Sequence, residues 1–419
     1  MKDTGLRDTV FMDVRIVTPE AVLERGVAVI RDGRIISLAH GSRHSSVPAD
    51  ATVVEGQDRL LMPGFVDLHN DGIEQEIEPR PRAIFPLAVA LQSLESQLVS
   101  HGITTIFHSF SFMDGREGTL RPDVLEPTVR ELNALRRCGI IRHLVHARYE
   151  MVEVHHYERF RRLIDERLVN LVSFMDHTPG QGQYRNPEYL VNYYIRKYNT
   201  PVGEIQALLR EREEKARNPA VGEVLRKLSA YARDAGLPIA SHDDDTAEKV
   251  ARMSGLGVTI SEFPVEMAAA VAAAQSGMHV AVGAPNVLRG KSTSNNLSAL
   301  EAIMSNTVDI LCSDYYSPAL LHAVFRLVRE GRLTLPEAVR MVSANPARAA
   351  GLDAELGSLE VGKRADMILV NDAGELPSVV GAWVGGRRVY EKHDSTLNAL
   401  GDQWAQEVSS FREEAAHAS

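Results

Sequence analysis

Eight strand-like runs alternate with helical stretches between residues 65 and 314, and this repeat constrains the fold more than any other feature. The runs are 65–71, 102–110, 141–150, 169–177, 237–243, 257–262, 278–284 and 308–314. Several are continuously apolar, as strands of a parallel sheet covered on both faces must be. Helical periodicity fills the gaps at 87–100, 120–138, 202–236 and 317–330. The stretch 202–236 carries EREEKAR and predicts a solvated helical hairpin or insertion. Strand and helix in strict alternation predict an α/β fold of the (β/α)8 barrel type. Such a barrel takes about 250 residues, so a chain of 419 has material left over.

The remainder is β-rich at both ends. Short strands are expected at 10–17, 26–30 and 34–39, with Asp32-Gly33 as a hairpin signal, and a weaker one at 52–55. The same texture returns at 367–370, 379–384 and 387–390, with Gly385-Gly386 at a tight turn. Residues 1–62 and 353–394 are therefore assigned to one small β-sandwich built from both termini. Residues 63–352 form the barrel, and 395–419 a polar tail.

Ligand-type residues cluster where barrel chemistry is built. His69 and Asp71 end the first run, Glu150 the third, His177 the fourth, His242 the fifth and Asp314 the eighth. Barrel active sites lie at the C-terminal ends of the strands. One His there is usually structural, whereas six His and carboxylate residues together predict a divalent metal site. Imidazole and carboxylate ligands suit zinc first, with manganese or iron as alternatives, and one or two ions fit the set. Glu150 can bridge two ions, since no Lys in 141–150 or 169–177 is available for carbamylation. Asp314 is expected both to ligate and to take the proton from the attacking water.

Two further segments offer anion contacts. Arg80 and Arg82 can clamp an anion bidentately, against the alternative of a solvated loop. Residues 283–296 combine Arg289, Lys291, Ser292, Ser294 and Asn295 in a turn suited to phosphate. Asp176, Asp243 and Asp244 are expected to orient ligands, and His108 to point into the barrel. His101, His143, His146, His155 and His156 are assigned to surface or packing.

The formal charge of -10 argues against a general nucleic-acid binder. Cys138 and Cys312 are far apart and predict reduced, buried thiols. The opening MKDTGLRDTVFMDVRIV holds no signal-type apolar run. Residues 267–283 are broken by Gln275, Ser276, Gly277 and His279, which predicts a buried helix then a strand, not a membrane span. A cytoplasmic enzyme acting on a small molecule is expected, with homo-oligomerisation left open.

These residues also carry a resemblance. PGFVDLHND at 63–71 resembles the first-strand motif of amidohydrolases, with His-x-Asp in place of His-x-His. MDHTPGQGQ (175–183), ASHDD (240–244), SEFP (261–264), GAPNVLRG (283–290), SDYY (313–316) and NPARAAGL (345–352) are more specific. With EPRP (78–81) and GKRADMILV (362–370), they resemble the diphosphatase family of the bacterial C–P lyase pathway. The similarity runs over about residues 10–392. It implies a sandwich-plus-barrel fold, a metal centre and hydrolysis of α-D-ribose 1-methylphosphonate 5-triphosphate with release of pyrophosphate, a step of phosphonate catabolism. The family's basic positions are replaced here by Gln75, Glu76, Gly182 and Thr293, with Lys291 as a partial substitute. The alternative is a paralogue that cleaves a C–N bond, as a deaminase or cyclic amidase, in a less charged molecule. A non-catalytic binding subunit would have no physical need for six ligand residues.

Overall fold

The computed structural model describes residues 8–41, 50–80, 83–114, 122–182, 191, 195, 201–290, 292 and 296–392. The expected tail at 395–419 lies outside them.

Strands from both ends of the chain make one seven-stranded sheet. They are β1 (Thr9–Val17), β2 (Val22–Arg31), β3 (Arg34–His40), β4 (Thr52–Pro63), β13 (Met367–Asn371), β14 (Ser378–Val384) and β15 (Arg387–Glu391), in the order β15-β14-β13-β4-β1-β2-β3. Only β1 and β4 pair in parallel. Alternation sorts the side chains. Leu61, Met367 and Leu369 join Phe11, Ile35 and Trp383 in one core, where the Phe11 and Trp383 rings meet edge-on at 4.7 Å. Their neighbours Leu60, Met62, Ile368 and Val370 face the other way, into the cluster shared with the barrel's outer layer. Because the first core unites β3 at one edge with β14 near the other, the sheet bends on itself like a sandwich. The hairpin tips touch there: a Cβ on Gly33 would lie 2.7 Å from the Gly385 carbonyl oxygen, so glycine is required. The segment expected as a short strand at 52–55 is the start of the much longer β4.

β4 runs through Gly64 into the barrel, whose strands pair in parallel and in chain order. They are β5 (Phe65–Asn70), β6 (Ile103–Phe112), β7 (Arg142–Glu150), β8 (Leu171–Met175), β9 (Ile239–His242), β10 (Ile260–Glu262), β11 (His279–Gly283) and β12 (Ile310–Cys312). The ring closes through a parallel bridge between Asn70 and Asp314. Phe107, Leu171, Ala240, Ile260, Ala281 and Ile310 fill the interior. The outer faces pack on helices that include α1 (Gly72–Ile77), α2 (Leu87–Ser100), α3 (Pro122–Leu135), α4 (Tyr157–Asp165), α6 (Ala220–Asp234), α7 (Ala247–Gly255) and α8 (Met267–Gln275), while α5 (Val202–Ala216) buries Ile205 and Leu209 in a small cluster of its own.

The sequence-based expectations need some corrections. The helical stretch 202–236, expected as a hairpin or insertion, is two helices separated at Asn218-Pro219, where proline removes a backbone donor. Ala284 does not end a strand but begins a six-residue helix, α9 (Ala284–Arg289), with Pro285 preset for its first turn. Cys312 is buried, but Cys138 is exposed beyond α3. Among the described residues, no helix is long and apolar enough to cross a membrane.

Candidate metal centre at the barrel mouth

The six expected ligands reach one end of the barrel by different local devices. Glu150 and His242 are the last residues of β7 and β9, while His69 is the penultimate residue of β5. Asp71, His177 and Asp314 stand one or two residues past their strands. The β5–β6 pairing slips between Asp67 and Asn70, which interrupts strict alternation around His69. Asp243, Phe263 and Asp314, just past β9, β10 and β12, all adopt left-handed backbone conformations with φ of 53 to 58°. Aspartate tolerates this better than phenylalanine, so Phe263 marks stored strain at the mouth.

Two donor groups form around His69. Ligand atoms of His69, Asp71 and Asp314 lie within 4.8 Å of one another, as do those of His69, His242 and Glu262. The backbone locks the first group: Asp314 N–H donates to His69 C=O at 3.0 Å, and Asp71 N–H donates to Asp314 C=O at 2.9 Å. Glu150 and His177 instead pair with each other, Oε2 to Nδ1 at 2.6 Å, with the His177 N–H donating to Oε1 at 3.1 Å. Arg148 joins the parts. Its guanidinium stands 3.5 Å from Asp71 Oδ1 and 3.1 Å from His242 Nε2.

Glu262, His146 and Arg148 are the residues sequence reasoning missed. Glu262 ends β10 fully buried, 3.5 Å from both His69 Nδ1 and His146 Nε2, and accepts from Ser173 Oγ at 3.0 Å. Burial opposes its charge, but His146 and His69 hold its carboxyl far below the usual range. His146, expected at the surface or in packing, is wholly buried and pulled down to about 3 by that burial. The signal was available: His146, Arg148 and Glu150 are spaced by two on β7 and so share its inner face.

Charge and burial suit a cation. His69 Nδ1, His146 Nε2 and Glu262 Oε1 are buried without a hydrogen bond of good geometry. Buried polar atoms of this kind ordinarily find one, and nitrogen and carboxylate oxygen donors are what zinc-type ions take. Asp314 is lifted to about 7 by burial and by the neighbouring Asp71 charge. His69 is pulled down by burial, yet Asp71 and Glu262 raise it to about 10. Both values describe a centre waiting for positive charge.

The supporting residues differ in part from expectation. Asp243 does stand 2.9 Å from His242 Nδ1. Asp176 accepts from the Thr178 N–H rather than steadying the His177 ring. Asp244 binds Ser241 and Ser261 hydroxyls at 2.5 and 2.8 Å, tying β9 to β10. His108 does not point into the barrel. It faces the helix layer, where His143 bridges it to Glu95 of α2 at 2.9 Å on each side. His143 is buried in that relay.

The anion contacts are the least assembled. Arg80 is exposed beside a bridge to Ala83, and Arg82 lies outside the described residues. The expected turn at 283 is α9 instead. Its start borders the centre, a Cβ on Gly283 standing 3.6 Å from Asp314 Oδ2, but Arg289 is exposed at its far end. Arg326 caps that end, donating to Val287 and Leu288 C=O at 2.9 and 2.6 Å. Ser292 is half-buried, whereas Lys291, Ser294 and Asn295 lie outside the described residues.

Comparison with known proteins agrees with this architecture. Residues 60–389 match the model of the amidohydrolase family. The chain is 34% identical over 383 residues to the alpha-D-ribose 1-methylphosphonate 5-triphosphate diphosphatase of Escherichia coli strain K12, covering 90% of this chain and 99% of that one. It is 32% identical over 179 residues to the imidazolonepropionase of Maricaulis maris strain MCS10, or 40% of this chain and 43% of that one. In fold it is similar to N-acetylglucosamine-6-phosphate deacetylase from Pasteurella multocida, with a TM-score of 0.63 at 14% identity, over 92% of this chain and 100% of that one.

Proposed function

Since the chain belongs to the amidohydrolase family, a metal-dependent group of hydrolases, we propose that it is a diphosphatase acting on α-D-ribose 1-methylphosphonate 5-triphosphate. The observation that carries this reading is the 34% identity to the Escherichia coli diphosphatase across 99% of that relative's length. In it, His69, Asp71 and Asp314 hold one divalent ion, and Glu150, His177 and His242 offer a second position. Zinc fits these donors first, with manganese or iron as alternatives. A divalent ion supplies Lewis acidity that draws the pKa of water towards about 7 and neutralises developing phosphate charge.

The chain's own groups supply the rest. Asp314 receives a proton from the attacking water. The anhydride between the first and second phosphorus atoms breaks, leaving a 5-phosphate and free pyrophosphate. Arg148 sits against Asp71 and His242, where its guanidinium meets negative charge as it builds. Arg80, Arg82, Arg289, Lys291, Ser292, Ser294 and Asn295 are the proposed contacts for the outer phosphates, and each charge needs such a partner to offset its desolvation.

The C–N hydrolase reading keeps a specific support. Uncharged or acidic side chains stand at 75, 76, 182 and 293, and Arg80 and Arg289 are exposed. One assay separates the two. Purified enzyme is offered the ribose triphosphate and, in parallel, lactams, hydantoins and amino-heterocycles. Pyrophosphate release from the first is expected. Turnover confined to the second panel would reject the diphosphatase and keep the hydrolase. Chelator should abolish either activity, and survival of activity without metal would sink the metal centre.

A further inference from the structure

A second group of ligand-type side chains lies on neighbouring loops at the same end of the barrel. Asp114 follows β6, and His155 and His156 lie in the 3-10 turn Val154–His156 that follows β7. Their ligand atoms fall within 4.8 Å of one another. His156 Nε2 is 2.9 Å from Asp114 Oδ1, and His155 Nε2 is 3.0 Å from Asp114 Oδ2. Two ligand atoms on one tetrahedral zinc, with bonds of about 2.0–2.1 Å, stand about 3.3 Å apart. The two imidazoles meet different oxygens of Asp114, so small side-chain shifts bring one donor from each residue around an ion.

His155 provides an independent pointer. Its Nδ1 faces Oε2 of Glu153 at 3.6 Å, while its Nε2 faces Asp114. The Glu153 carboxylate is buried. A neutral imidazole has one N–H and one lone pair, so between two carboxylates it must aim the lone pair at one of them. With the proton on Nδ1, the clash falls on the Nε2 side, and a cation there turns repulsion into ligation. A carboxylate behind the outer nitrogen of a metal-binding His is the arrangement that fixes tautomer and ring orientation.

We propose that Asp114, His155 and His156 form a second metal site on the rim of the barrel mouth, which takes a divalent transition ion of the zinc type. The local charge agrees. Lys215 is held by Glu153 at 2.9 Å and Glu211 at 3.0 Å, and stands 3.6 Å from Asp114. Three carboxylates against one ammonium leave two negative charges, which match a divalent cation and repel phosphate. Three protein ligands leave a fourth position for water. The role is a brace: the ion pins the loop after β6 to the turn after β7. That turn is already tied to α5 through Lys215, and to Glu150 through the Glu153 N–H at 3.0 Å.

The test counts metal rather than activity, so it is independent of the substrate. The wild-type chain, His155→Ala and Asp114→Asn are stripped with chelator, reloaded with zinc, passed through gel filtration and assayed for zinc per chain. His155 is more than half exposed, so its replacement leaves no hole in the core, and circular dichroism confirms the fold of each variant. The same pair is repeated in a His69→Ala background, where the main centre is impaired. Loss of one equivalent of zinc in either variant, in both backgrounds, is expected. Equal zinc in wild type and both variants would overturn the site and leave the three side chains as a hydrogen-bonded cluster.

Discussion

His69 and Asp314 approach their ligand roles from the protonated side. Without metal, His69 stands at about 10, its burial outweighed by Asp71 and Glu262, and Asp314 stands at about 7. At neutral pH His69 carries a proton and Asp314 is divided between its two forms, and an incoming ion must displace what protons they hold, because only the deprotonated forms ligate. The sign follows: metal affinity rises with pH, through about 7 where Asp314 loses its proton and on to about 10 where His69 does, and binding releases protons. Calorimetry in buffers of unlike ionisation enthalpy measures this, and a flat affinity with no proton release would contradict it. Replacement of Asp314 by Asn is expected to lower kcat by at least about a hundredfold while the fold survives. Metal content must be read in the same sample, and full metal with near-normal kcat would remove Asp314 as the base. Glu262→Gln leaves shape intact but withdraws the charge behind His69. A loss of metal affinity of about ten- to a hundredfold is expected by equilibrium dialysis, and unchanged affinity would mean that Glu262 only packs.

At the scale of elements, the centre sits on the seam where β12 meets β5. Asp67 accepts from the Ser313 N–H at 3.1 Å and from its hydroxyl. Asn70 donates to Ser313 and Ser317 at 2.6 and 3.1 Å. This buried network holds the backbone that presents Asp314. Asp67→Ala leaves the Ser313 N–H without its partner, at a cost of about 1–3 kcal/mol. A lower Tm and weaker metal binding are expected together, although Asp67 is not a proposed ligand. A variant with both unchanged would show that the seam is not what positions Asp314. Strand ends bearing His69, Glu150, His177, His242 and Asp314 were legible because parallel strands announce themselves as apolar runs. The run at 257–262 already ends on Glu262, which escaped only because it counts there as part of SEFP and not as a ligand-type strand end. The exit of His108 from the barrel depends on β6 register, and α9 on six residues that a strand pattern overlaps. Neither can be read from periodicity alone.

Over the whole molecule, the two terminal segments and the barrel share their packing. The side chains of Leu60, Met62, Ile368 and Val370 enter the same apolar cluster as Phe65, Val99 and Ile103. The polar counterpart is Asp366. It is buried, receives both terminal nitrogens of Arg142 at the foot of β7, and accepts from the Gly385 N–H at 2.8 Å. Its own carbonyl accepts from Gly64 N–H at 2.9 Å, where β4 becomes β5. The β-rich ends were legible as strands, but their union with the barrel rests on contacts more than 200 residues apart in sequence, which local pattern does not encode. Asp366→Ala would leave the half-buried Arg142 guanidinium without its partner, at a cost smaller than the ~3–5 kcal/mol of breaking a fully buried pair. If sheet and barrel are one cooperative unit, that loss lowers a single transition rather than splitting it. Near-ultraviolet dichroism reporting on Trp383 and a metal-release signal reporting on the centre should then shift to lower temperature together. Separate midpoints, with the sheet melting while metal stays bound, would show that the two sheets fold independently and that Asp366 steadies only one of them.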